Sequence, residues 1–215
     1  MAIAVSFSEI LPLSFVMIAG PQIVTSFFLA TSGRWAANSL SYVLGAAISV
    51  TTTVTVAYFV AKGVNNSGSG HKAAFDRGID GIVLVLMLFL IVRVYLTRGK
   101  SQPPKWMGKL QTAEPKFALL MGLALMGVFP TDIASSIAAG FHVERSGDPW
   151  WQCLPFVALT LLLLATPALC VVFLGRRADV LLPKIRDWMN SHSWVISEIV
   201  LVFFAAIAIN GLIKG

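Results

Sequence analysis

Six long apolar stretches alternate with short polar connections along the chain, near 8–31, 36–61, 78–97, 117–141, 152–174 and 194–213. About 20 consecutive apolar residues cross a bilayer as a helix, so the pattern predicts six membrane helices. The expected fold is an all-α integral membrane protein, one polytopic domain over 1–215 with no room for a soluble one. Two of the stretches carry a proline near their middle with matching flanks. The first reads Gly20-Pro21-Gln22-Ile23-Val24-Thr25-Ser26 and the second Phe129-Pro130-Thr131-Asp132-Ile133-Ala134-Ser135. A proline removes one backbone hydrogen bond and frees carbonyls that hydrocarbon cannot satisfy.

Matched breaks divide the chain into repeat one (about 8–97), a basic loop (about 98–116) and repeat two (about 117–213). Three helices per half is an odd number, so equivalent helices run in opposite directions. Two inverted three-helix repeats with proline-broken helices 1 and 4 follow, and such discontinuous helices surround midplane binding sites in transporters.

Composition agrees: 57% of the 215 residues are hydrophobic and only 12% charged, about half the charge of a soluble domain. The net charge of +6 follows topology rather than a nucleic-acid surface. Arg34, Arg98, Lys100, Lys105, Lys109, Lys116, Arg176, Arg177, Lys184 and Arg186 fall on one side. Lys62, Lys72, Arg77, Arg145 and Lys214 fall on the other. The positive-inside rule then places the basic loops in the cytoplasm and both termini outside. The six Trp residues lie at or just beyond expected helix ends, where an aromatic belt belongs. In segment 178–190, Leu181, Leu182, Ile185, Trp188 and Met189 share a helical face away from Lys184, Arg186 and Asp187. An interfacial helix with Pro183 in its first turn is expected, in reach of membrane lipids.

Asp132 is the one carboxylate near the middle of any stretch. Its insertion costs about 2.5–3.5 kcal/mol, which points to function as a proton carrier or substrate contact. It also falls in the first turn after Pro130, where it can simply cap a half-helix. Gln22 and Thr25 stand in the mirrored place after Pro21. Two facing half-helix N-termini suit an anionic group, although freed carbonyls before each proline suit a cation. Candidate substrate or gating residues are therefore Gly20, Pro21, Gln22, Thr25, Pro130, Thr131 and Asp132, with Asp132 and Glu198 as proton-coupling candidates. Asn38 and Asn210 can hydrogen-bond between helices. Ser41, Gly45 and Ser49 form a small-residue stripe for helix packing within the chain or for a homodimer.

Asp76 and Asp80 lack the second acidic motif of a prenyl transferase. His71, His142 and His192 have no ligand spacing. No Walker or Gly-x-Ser-x-Gly pattern occurs. No enzyme, metal or cofactor is expected. Cys153 and Cys170 lie about 25 Å apart along one helix, too far for one disulfide.

The run Gly20-Pro21-Gln22-Ile23, Thr31-Ser32-Gly33-Arg34 and Gly45-Ala46, with the ending Leu96-Thr97-Arg98, resembles the lysine-exporter (LysE) superfamily. Over the full chain it looks most like the GAP branch, the (glyco)peptidolipid-addressing proteins of mycobacteria and relatives. That resemblance implies moving large cell-envelope lipids to the surface. Ala19 replaces the first proline of the amino-acid exporters' Pro-Gly-Pro, and Phe129-Pro130-Thr131 replaces their Asn-Pro-Lys. Both changes suit a substrate of more lipid character.

The expected function is export of a lipid or glycolipid envelope component across a bacterial plasma membrane. The alternatives are a proton-coupled exporter of amino acids or small ions, and a non-transporting accessory subunit for envelope-lipid assembly. Membrane lipids, a homodimer and envelope-lipid synthesis or export proteins are the partners these readings entail.

Overall fold

The computed structural model of the chain describes residues 3–18, 20–66, 110 and 112–191. The stretches expected at 78–97 and 194–213, most of the basic loop, and Glu198, Asp80, Arg93 and Asn210 lie outside the described residues. Every regular element among those described is helical. They are α1 (Ile3–Ile18), α2 (Pro21–Ala30), α3 (Trp35–Asn66), α4 (Pro115–Val128), α5 (Pro130–Arg145), α6 (Leu154–Leu174) and α7 (Ala178–Ser191). Short 3-10 turns at Trp150–Cys153 and Gly175–Arg177 precede α6 and α7.

Both expected breaks occur. The axis turns by 62° between α1 and α2 and by 68° between α4 and α5. Phe129, before Pro130, is extended at φ −69°, ψ 124°, the conformation that a following proline ring imposes. Proline alone does not dictate a break, since Pro12, Pro167 and Pro183 lie inside continuous helices. Near Pro167 the Ser26 hydroxyl of α2 donates to the Leu164 carbonyl of α6. Neighbouring hydroxyls commonly satisfy backbone groups beside a proline in a membrane helix.

Two helices are long and apolar enough to span a bilayer by themselves: Trp35–Val64 in α3, and Trp150–Leu174, which takes in α6. Counting each bent pair as one span brings the described total to four. The protein is thus a helical membrane protein. Its described parts follow the same order twice, a bent pair and then a long helix. Packing exchanges the partners: α3 lies mainly along α4 and α5, while α6 lies along α1 and α2. Ser14 Oγ of α1 reinforces the second contact by donating to the Phe156 carbonyl of α6 at 3.3 Å.

The crossing of α3 and α4 is backbone on backbone. A Cβ built on Gly45 would strike the Leu119 carbonyl, and one on Gly122 would strike the Tyr42 carbonyl. Gly140 of α5 also sits close on α3, where a Cβ would lie 2.6 Å from the Val54 carbonyl oxygen. Small residues permit such approach in membranes, where dispersion replaces the hydrophobic drive. Gly45 of the expected stripe is therefore used inside the chain. Buried Tyr42, Ala46, Val50, Val54, Leu125 and Met126 fill the core around this seam.

Several details differ from expectation. α1 begins at Ile3 rather than 8, and α3 continues to Asn66 rather than 61, because backbone bonding continues past the last apolar residue. α7 forms as an amphipathic helix, but it starts at Ala178, so Pro183 is its sixth residue rather than in its first turn. Leu181 is exposed, whereas Leu182 is buried with Ala178 against Ala30, Phe27, Cys170 and Val171.

The α3–α4 seam yields a stability test. We expect Gly122→Ala to cost about 1–3 kcal/mol, as overpacking a close contact does. A lower unfolding midpoint in detergent would report it. Gly63→Ala, whose added Cβ meets nothing, should leave the midpoint unchanged or raise it.

Candidate functional site

The two helix breaks meet. Pro21 and Pro130 each take the first position of a half-helix, where a missing N–H removes no helical bond. Gln22 then falls at the second position of α2 and Asp132 at the third of α5. Gln22 Nε2 donates to Asp132 Oδ2 at 2.6 Å, across 110 residues of sequence. Asp132 is 0% exposed and Gln22 2%, so the bond is sealed from lipid and water.

Three further contacts define the place. Thr131 Oγ1 donates to Asp132 Oδ1 at 3.3 Å. Tyr42, fully buried on α3, donates its hydroxyl to the Gln22 backbone carbonyl at 2.9 Å. The side chain and the backbone of Gln22 are thereby held by two different helices. Gly20 leaves the room this requires, since a Cβ there would lie 2.7 Å from Gln22 Oε1. Ser136 Oγ approaches Met17 Sδ at 3.8 Å and ties α5 back to α1.

Electrostatics explain why a carboxylate is tolerated here. The N-terminal ends of α2 and α5 each carry the positive end of a helix dipole. The Asp132 side chain lies in the first turn of one and is bonded to the first turn of the other. Among the described residues its side chain makes only the Gln22 and Thr131 bonds and has no ion pair. The place between the two half-helices is filled by the protein's own Asp132 side chain, whose shorter bond runs to the other half-helix.

Most of the candidates expected from the pattern gather here, with one qualification. Gly20, Pro21, Gln22, Pro130, Thr131 and Asp132 surround the contact. Thr25 is buried on α2, but its hydroxyl is spent on the Pro21 carbonyl at 2.6 Å. Glu198 lies outside the described residues. Asn38 does join elements, with Nδ2 donating to the Ala113 carbonyl and to Ser32 Oγ, each at 2.9 Å. Tyr42 and Ser14 were missed. A phenol in the middle of an apolar stretch was the available signal, because a buried Tyr hydroxyl seeks a partner.

The match between halves stops short of bonding. Ser26 bonds Leu164, whereas its counterpart Ser135 is buried without a hydrogen-bond partner among the described residues. Gln22 Oε1 is likewise unpartnered.

Fold and site together define an all-helical membrane protein in which a buried polar latch joins two proline-broken helices. The chain belongs to the family of Sap, the sulfolipid-1-addressing protein, whose model matches residues 10–212. No curated protein and no solved structure matches it.

A double-mutant cycle tests the latch. Gln22→Leu strands a buried carboxyl and should cost about 2–3 kcal/mol of stability. Adding Asp132→Leu should return most of that loss, since replacing both partners with apolar groups is nearly neutral. A coupling below about 0.5 kcal/mol, the level expected of distant sites, would mean the side chains do not meet.

Proposed function

We propose that this protein is an exporter that moves an anionic envelope lipid outward across the bacterial plasma membrane. The Gln22–Asp132 bond carries the reading. A buried carboxylate in a membrane segment is costly and marks a pathway by default. Here it closes the joint between two half-helices, so any change in its charge or partner alters how the halves meet. Six spans in two inverted repeats, with both termini outside, supply the alternating geometry such a transporter needs. The resemblance to the lysine-exporter superfamily favours the same architecture.

The family description supports the substrate class: a sulfolipid joins an anionic group to hydrocarbon. Apolar side chains exposed along α3 and α6, among them Leu40, Leu44, Ile48, Leu162, Val172 and Phe173, give acyl chains a surface to follow. In the transport cycle, Asp132 exchanges Gln22 for a proton or for a polar group of the substrate. With no nucleotide-binding motif in the sequence, the driving force comes from a gradient or a partner protein.

An accessory role in lipid assembly is the competing reading, favoured by the word "addressing" in the family description. Surface and intracellular lipids and amino acids should be profiled in cells lacking the protein and rescued by wild type or Asp132→Asn. Export predicts that the surface lipid returns only with wild type, while its precursor accumulates inside otherwise. Equal rescue by Asp132→Asn would favour the accessory role. Unchanged surface lipid with an internal amino acid accumulating would replace the lipid substrate with a small one.

A further inference from the structure

The corner between α6 and α7 combines features that the latch does not use. Arg177, Val180, Leu181 and Lys184 recur at intervals of three, four and seven, which places them on one helical face. All four are exposed, Val180 by 60% and Leu181 by 43%. Just before the turn, Phe173 is 81% exposed. Two exposed cations and exposed hydrocarbon are thus interleaved on one surface.

The opposite face is anchored. Ala178 and Leu182 are buried against Ala30 and Phe27, the last turn of α2. Gln22 stands in the first turn of that ten-residue half-helix, about 12 Å away along its axis. α7 therefore touches one end of the element whose other end holds Asp132.

We propose that the α6–α7 corner binds the headgroup of an anionic bilayer lipid, through the exposed Arg177 and Lys184 beside the exposed Val180, Leu181 and Phe173. Charge complementarity selects an anionic occupant. The interleaved apolar side chains select one that carries acyl chains, so the source is a bilayer lipid rather than a free phosphate or sulfate ion. Segment 176–191 supports the sign, with Arg176, Arg177, Lys184 and Arg186 against Asp179 and Asp187. Through Ala178 and Leu182 the bound headgroup bears on α2, so occupancy steadies the half-helix that presents Gln22. The site stands independently of export.

The full-length protein in phosphatidylcholine nanodiscs doped with phosphatidylglycerol provides the test. Native mass spectrometry would count retained lipids, and hydrogen exchange would follow α2. We expect phosphatidylglycerol to be enriched over its bulk fraction, and the enrichment to fall about tenfold in Arg177→Gln/Lys184→Gln. Exchange in α2 should slow with phosphatidylglycerol for wild type but not for the variant. Should the variant fail to fold, a salt titration of wild type decides, since exposed charges are screened within a Debye length. Absent enrichment, or enrichment indifferent to salt and to the substitutions, would overturn the site. Displacement of the lipid by inorganic phosphate at similar concentration would overturn the lipid as its occupant.

Discussion

Hydrocarbon offers no hydrogen bonds, so every interruption of a membrane helix must be satisfied by protein. That constraint governs this structure. Pro21 and Pro130 each begin a new half-helix in apolar surroundings, so each break brings the positive end of a helix dipole into them. Bringing the breaks together lets one carboxylate serve both, with Gln22 as the bridge. Neither break is well placed without the other. The 62° and 68° bends, the Gly20 clearance and the Tyr42 bond all hold those two side chains in register.

The exchange of partners between the halves gives the latch mechanical meaning. α3, from the first half, is wedged along the second bent pair through Gly45, Gly122 and Gly140. α6, from the second half, is bonded to the first bent pair through Ser14 and Ser26. A shift of either bent pair therefore moves against a helix of the other half, and the buried bond lies where they meet. The contacts on α3 include backbone-on-backbone approaches at glycines, whereas those on α6 combine hydroxyl bonds with apolar packing.

α7 packs beside α2: its buried edge rests on the end of that helix, and its other face carries exposed cations beside exposed hydrocarbon. One half-helix then links that surface to the buried Asp132.

Periodicity and length were enough to read membrane helices, because about 20 apolar residues in a row have no other stable home. The matched Gly20-Pro21 and Phe129-Pro130 flanks located the breaks, since proline chemistry is local. Asp132 stood out by the cost of its charge. Beyond that, local rules ran out. Pro12, Pro167 and Pro183 look as disruptive as Pro21 but lie within continuous helices. Whether a neighbour supplies hydrogen bonds or packing cannot be read from the residue itself. Facing half-helices suited a foreign anion and their freed carbonyls a cation, yet Asp132 fills that place by pairing with Gln22. The use of Gly45, the partner of Tyr42 and the burial of Leu182 rather than Leu181 each depend on which helix lies alongside. Hydrophobicity determined that these segments enter the membrane; only their mutual packing decided which polar groups meet there.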